Sequence, residues 1–315
     1  MNYKAAAIVL VILLAGLYLF SGGKEEQAKE SVKVSGAWAL YPLMIRWAEE
    51  YQKVNSGVSI EVSAGGAGKG MADTLSNLVE IGMISREIDP SEVDKGAFGL
   101  AVAKDAVVPT MNKDNPHASY LLSHGITRDK FKMIFVSGDL TQWGGVASDP
   151  SVTTKISVYT RSDSCGAGDV WAKYMGVKQE DIKGIGVNGD PGIAEAVSRD
   201  VNGMGYNNIG FAYDLKTGLP TGNLAIIPLD TNADGIIEDR ENFYGNRADV
   251  IAAIADGRFP SPPARDLYIV TKGPPTGATR DFINWILNDG QKYIAPEGYI
   301  TLKDETLAAS KAKLG

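Results

Sequence analysis

From Val32 onward the apolar positions keep switching period. Short runs with alternating or continuous apolar residues read as strands, and longer stretches with apolar residues every three or four positions read as helices. VKVSG (32–36) is a predicted strand. Tyr41 to Tyr51 is a predicted helix, because Leu40, Leu43, Met44, Trp47 and Tyr51 fall at helical spacing and Pro42 suits a first turn. VSIEVSAG (58–65) is a second strand, and Met71, Leu75, Leu78 and Val79 mark a second helix. EIGMISR (80–86) is a third strand. The pattern restarts after Asn112, with FKMIFVSG (131–138) and KISVYTR (155–161) as strands. Helices follow from Gly168 to Met175 and from Ile193 to Val201, the second closed by Gly203. DLYIVTKG (266–273) returns as a strand, and ATRDFINWILNDGQKYI (278–294) is an amphipathic helix.

Such alternation predicts an α/β fold with mostly parallel sheets flanked by helices. There is no fixed-period repeat. Two α/β units and a late return strand predict two lobes, joined by strands crossing near Ala106 to Met111 and near Arg265 to Thr271. Lobe 1 is expected over 32–108 and 267–315, lobe 2 over 109–266, with a ligand cleft between them. The N-terminus stands apart. Lys4 precedes an apolar run from Ala5 to Phe20 and the small residues Ser21-Gly22-Gly23. The run is shorter than the roughly 20 residues that span a bilayer comfortably. Residues 1–23 are therefore read as a secretory signal, or, if uncleaved, as an anchor holding the protein to the membrane. Either way the body is expected in the periplasm or outside the cell. Residues 24–31 are polar and read as a linker.

Composition narrows the chemistry. The 315 residues are 44% hydrophobic and 22% charged, with a net charge of −7, so no basic field exists to hold nucleic acid. The two histidines, His117 and His124, share one polar stretch, and Cys165 is the single cysteine. That excludes an internal disulfide, a CxxC motif and a histidine-rich metal site.

Three strand-to-helix turns share one design: SGAW (35–38), SAGGAGKG (63–70) and RSDSCGAGD (161–169). In parallel α/β sheets such turns gather at the carboxyl ends of the strands, where ligands bind. Helix N-termini present unpaired N–H groups with partial positive charge, and glycine lets backbone approach an anion. Three turns facing one cleft would form an oxyanion socket. GGAGKG is not a nucleotide loop: that motif needs glycine at Ser63 and Ser or Thr at Gly70, and the dinucleotide pattern fails at Met71. Cys165 at a helix start could be a nucleophile, but no histidine lies near it in sequence, and the chain is read as a binding protein rather than an enzyme.

The phrases SGAWALYPLMIRWAEEY, VSIEVSAGGAGKGMADTL, EIGMISREI, VYTRSDSCGAGD and DLYIVTKGPPTGATRDFINWIL, in this order, resemble the phosphate-binding proteins of ABC importers. The resemblance covers most of the chain after Val32. It implies two α/β lobes of the type II periplasmic-binding-protein fold closing on a dehydrated oxyanion, phosphate in that family, for delivery to an ABC permease. It implies ligand contacts at Ala37 and Trp38 with Gly36, at Ala67 with Gly68, at Arg86, and at Arg161, Asp163, Cys165, Gly166 and Ala167. The family's loops carry Ser or Thr hydroxyls where this chain has Ala37, Trp38, Ala67, Cys165 and Ala167. A hydrogen bond to a charged group contributes roughly 1.5–3 kcal/mol, so losing several weakens phosphate by orders of magnitude. The alternative reading follows: a binding or sensory module that has lost phosphate and recognises another anion or a protein. Arg161 can grip an oxyanion through parallel N–H bonds. Asp163 either accepts the proton of a monohydrogen anion or orients Arg161. Trp38 stacks on a larger ligand, fills the pocket, or tucks into the core beside Tyr41.

A second motif is independent. DTNADGIIEDRE (230–241) fits the calcium loop D-x-[DN]-x-[DN]-G-x5-E at every position. Asp230, Asn232, Asp234 and Glu241 would give side-chain oxygens, Ile236 a carbonyl, and Glu238 a direct or water-mediated contact. The preceding IIPL reads as a strand, so a structural Ca²⁺ clip is expected rather than a sensor.

Overall fold

A computed structural model describes residues 29–315; the predicted signal or anchor (1–23) and most of the linker (24–31) lie outside the described residues. Among the described residues no helix is long and apolar enough to cross a membrane.

The first half of the chain runs β1 (Glu30–Gly36), α1 (Tyr41–Val54), β2 (Val58–Ala64), α2 (Ala67–Leu75), β3 (Ile81–Ile84), α3 (Pro90–Asp94) and β4 (Ala97–Asn112). Then come α4 (Ala118–His124), β5 (Ile126–Thr127), α5 (Arg128–Lys132), a π-helical turn over Met133–Ser137, α6 (Trp143–Val146), β6 (Ser157–Arg161) and α7 (Gly166–Tyr174). The remainder is β7 (Ile185–Val187), α8 (Gly189–Arg199), β8 (Gly203–Asn208), α9 (Ile209–Ala212), β9 (Leu224–Ile226), β10 (Leu229–Asp230), α10 (Arg247–Asp256), β11 (Ala264–Lys272), α11 (Gly277–Leu287) and α12 (Asp304–Leu314).

The main sheet has the order β2-β1-β3-β11-β4-β8-β6-β7, with β9 also on β4. β1 pairs in parallel with β2 and β3, and β6 with β7 and β8. The long strand β4 joins the two halves. Its Ala97–Ala106 stretch runs antiparallel to β11, and its Val107–Met111 stretch runs antiparallel to β8. The core divides at the same place. Val34, Trp47, Met83, Val102, Leu267 and Phe282 belong to one buried cluster. Val107, Phe131, Trp171, Tyr206 and Ala264 belong to another. Each lobe thus has its own core, and the strand-to-helix turns at the ends of β1, β2 and β6 face the junction.

Local chemistry explains most elements. On α1, Leu43, Met44, Trp47, Ala48 and Tyr51 are buried at spacings of three and four. Trp47 also donates its indole N–H to Gly290 O at 2.8 Å. Three expectations are corrected. FKMIFVSG is helical: Phe131, Ile134 and Phe135 are buried while Met133 is 40% exposed, a period of three to four that outweighs the β-prone composition. α2 stops at Leu75, since Asn77 takes φ +54° and Leu78 is 65% exposed. α8 starts at Gly189 and ends at Arg199, and Gly203 opens β8 rather than closing a helix.

Candidate functional site

The three turns do meet. Gly36 has φ +134°, and a Cβ there would lie 2.3 Å from Met83 O, so only glycine fits. Ala37 follows, buried, its N–H donated to Met83 O at 2.8 Å. The Gly36 carbonyl accepts from Gly65 N and Gly66 N at 2.9 and 3.0 Å, which ties the first turn to the second. Ala67 is wholly buried at the start of α2. Gly68 N–H reaches across to the second lobe and donates to Ser164 O at 3.2 Å. In the third turn Cys165 caps α7, its sulfur accepting from Gly168 N at 3.2 Å. Gly166 packs so tightly on Ser85 that a Cβ would approach Ser85 O to 2.2 Å, and its carbonyl accepts from Arg265 Nη1 at 3.1 Å. Ala167 is buried beneath. Burial pushes the Cys165 thiol up to about 12, which makes it inert at neutral pH.

Arg161 ends β6 at the middle of this junction, with its side chain 1% exposed. Asp163 holds one edge of the guanidinium through Nε (2.7 Å) and Nη2 (2.5 Å). Asp190 takes Nη1. Sequence reasoning missed Asp190; its signal is VNGD (187–190), a fourth strand-to-helix turn of the same kind. Asp190 is itself fixed by Asn208 N–H (2.9 Å), and its carbonyl accepts from Asn207 Nδ2 (2.9 Å). Asp163 also accepts from Gly189 N at 3.3 Å. Burial raises the Asp163 pKa, but Arg161 more than offsets this and holds the carboxyl below its ordinary value. For Arg161 burial opposes the charge, while Asp190 and Asp163 together raise the pKa and keep it cationic. One positive and two negative groups leave this trio at −1. A guanidinium has five N–H groups, and these contacts use three, leaving one on each terminal nitrogen.

Trp38 extends from the first lobe onto the second. A Cβ on Gly189 would lie 3.1 Å from its ring, and Tyr41 meets it edge-on with centroids 6.1 Å apart. Its buried indole Nε1–H has no partner. Arg86 is not brought to the others. Both its terminal nitrogens bind Glu92, at 2.9 and 2.6 Å, and it donates to Glu87 O at 2.9 Å. Glu92 sits in the capping box of α3 with Asp89, so the guanidinium is held by its own loop, in a hollow it shares with Asp169 and Lys173 of α7 rather than with Arg161. Behind the trio, Arg265 bonds Asn208 and lies 3.7 Å from Asp105. Burial pushes the Asp105 carboxyl up to about 6 against the pull of Arg265. The loop residues Asp230, Asn232, Asp234, Ile236, Glu238 and Glu241 belong to a separate place on the second lobe.

Two lobes, helix N-termini aimed at their junction and a buried arginine there are the parts of an anion-binding cleft. A model of the PBP superfamily domain matches residues 23–290. The chain belongs to the PBP superfamily. A phosphate-binding protein PstS of Bacillus subtilis is 26% identical over 89% of this chain and 83% of its own length. The crystal structure of a phosphate ABC transporter substrate-binding protein from Clostridium perfringens, with bound phosphate, overlays with a TM-score of 0.69 at 23% identity, covering 87% of this chain and all of that one. An ABC-type phosphate transport receptor from Vibrio cholerae gives 0.62 at 20%, with the same coverage. These structural likenesses establish the PBP fold.

Proposed function

We propose that this chain is an extracytoplasmic solute-binding protein that closes its lobes on a small oxyanion, phosphate foremost, and delivers it to an ABC permease. The observation that carries the reading is Arg161. It is buried where turns from both lobes meet, and it keeps one N–H on each terminal nitrogen unspent. Two parallel N–H groups on a rigid fork match two oxygens of a tetrahedral anion. Trp38 Nε1–H, also without a partner, adds a donor where the family resemblance implies hydroxyls. The names of the relatives favour phosphate. The apolar run Ala5–Phe20 favours export, by secretion or on a membrane tether. The inert Cys165 favours binding over catalysis.

A second reading, loss of phosphate in favour of another anion or a protein partner, is favoured by the charge at the site. The trio around Arg161 is already −1, so a phosphate dianion enters against net repulsion. Trp38 lies on Gly189, where a bulkier side chain than a hydroxyl residue narrows the cleft. Calorimetric titration of anion-free protein with phosphate, arsenate and sulfate separates the readings. Submicromolar phosphate binding supports the first. Weak phosphate binding beside a tighter oxyanion supports the second. No saturable binding of any of them removes the oxyanion reading.

A further inference from the structure

DTNADGIIEDRE (230–241), which the cleft leaves unused, begins at the last residue of β10. That strand pairs in parallel with β5. The loop holds five carboxylates and one arginine, yet its two ends are buried: Asp230 is 4% exposed and Glu241 6%. Chain direction reverses through Ala233 (φ +62°) and Gly235 (φ +78°). Backbone N–H groups of Ala233 (2.7 Å) and Gly235 (3.0 Å) donate to the two oxygens of Asp230, so the loop wraps its first carboxylate. From the far end Glu241 reaches back across the loop. Its Oε1 accepts from Thr231 N–H at 2.8 Å and from the Thr231 hydroxyl. Its Oε2 is buried and has no hydrogen-bond partner. An ionised carboxylate oxygen shut away from water without a donor is strongly disfavoured unless a cation completes it.

We propose that residues 230–241 bind one Ca²⁺ ion, and that Glu241 Oε2 is an oxygen the ion satisfies. Asp230, Asn232 and Asp234 supply side-chain oxygens, Ile236 its carbonyl, Glu238 a direct or water-mediated contact, and Glu241 both carboxylate oxygens. Among the described residues no three acidic, histidine or cysteine side chains converge as a ready-made metal cluster. Asp234 instead accepts from Ile236 N (2.9 Å) and Asn232 Nδ2 (2.8 Å). The ion therefore draws Asp234 and Asn232 inward on binding, and metal affinity is coupled to loop order. A large set of oxygens with a bidentate glutamate suits calcium; magnesium demands a tight octahedron and retains its waters.

The loop's surroundings assign the ion a structural task. Ile237 N–H donates to Ser123 O at 2.9 Å, which ties the loop to α4. Phe243 and Tyr244, stacked at 4.4 Å just beyond Glu241, belong to the core of the second lobe. The loop is entered from a strand and left through turns, so no helix pair exists to be opened. The ion clips β10 to the aromatic pair.

The test uses the full chain. Thermal unfolding is followed in EDTA, CaCl₂ and MgCl₂, together with luminescence of Tb³⁺, sensitised by Tyr174, which lines the same hollow as Asp230 and Thr231. The proposal expects CaCl₂ to raise Tm by several degrees with a Kd of about 10⁻⁴–10⁻³ M, as in extracellular modules. Magnesium should do little, and Ca²⁺ should quench the Tb³⁺ signal by displacement. Glu241→Gln should abolish both responses. Because Glu241 is buried, Asp234→Asn serves as the second variant; Asp234 is exposed, so the variant should still fold and melt cooperatively in EDTA while binding calcium about tenfold more weakly. Identical melting in CaCl₂ and EDTA, with no Tb³⁺ signal that Ca²⁺ displaces, overturns the proposal. So does a calcium response undiminished in both variants.

Discussion

Arg161→Ala should damage the protein twice, once in stability and once in binding. In the folded chain the guanidinium is 1% exposed and makes three hydrogen bonds to two carboxylates. Asp190, equally buried, would then keep only Asn208 N–H on its side chain and face no cation at contact distance. Removing one member of a buried ion pair costs about 3–5 kcal/mol, because the remaining charge stays buried. Asp163 is less buried and would find water, so most of the cost falls on Asp190. Asp190→Asn should restore part of the loss in the Arg161→Ala background, although each change alone destabilises. Urea unfolding of the four proteins gives the coupling directly. Strictly additive losses, or an Arg161→Ala chain as stable as the parent, would refute the placement of this trio. At a temperature where the variant is still folded, oxyanion affinity should fall more than a hundredfold, the equivalent of about 3 kcal/mol. Lys104→Ala, at a residue that pairs with Asp266 (3.8 Å) and makes no contact with the trio, is the control and should bind as the parent does.

Two further outcomes are expected. Restoring hydroxyls with Ala67→Ser, Cys165→Ser and Ala167→Thr should tighten phosphate by up to about 1.5–3 kcal/mol per bond recovered, read by calorimetry; no gain in any combination would show that the absent hydroxyls do not limit phosphate affinity. Asp105 has its pKa raised from 3.8 to about 6 by burial, so the folded state holds its proton longer than the unfolded state. Stability is then lost as pH rises from about 4 to about 6, on the order of 3 kcal/mol, and stays lost above that. Asp105→Asn should therefore melt higher than the parent at neutral pH, with the gap closing below about pH 4; a pH-independent difference would place the titration elsewhere.

The period of the apolar residues was enough to find β1, α1, β2, β6, β11 and the three turns, because burial on one face imposes 2 or 3.6 directly on the sequence. At FKMIFVSG the β-prone composition points to a strand, while the spacing of Phe131, Ile134 and Phe135 is helical and prevails. Side-chain pairing was less legible. Arg86 was expected in the cleft, yet DPSE (89–92) is a readable capping box whose last member captures it. Asp190 was invisible as a lone acid in VNGD, since its partner lies 29 positions away and meets it only through the parallel pairing of β6 and β7. The sequence leaves three settings open for Trp38, because its contact with Gly189 depends on how the lobes approach, which no local pattern encodes.

In the proposed function a small oxyanion sits between the lobes on Arg161. The most direct test is a crystal structure of the protein grown with millimolar phosphate. A tetrahedral anion is expected within about 3 Å of both terminal nitrogens of Arg161 and of Trp38 Nε1, with Asp163 still holding the opposite edge of the guanidinium. A closed cleft with no anion at Arg161, or phosphate held at another place on the molecule, would contradict it.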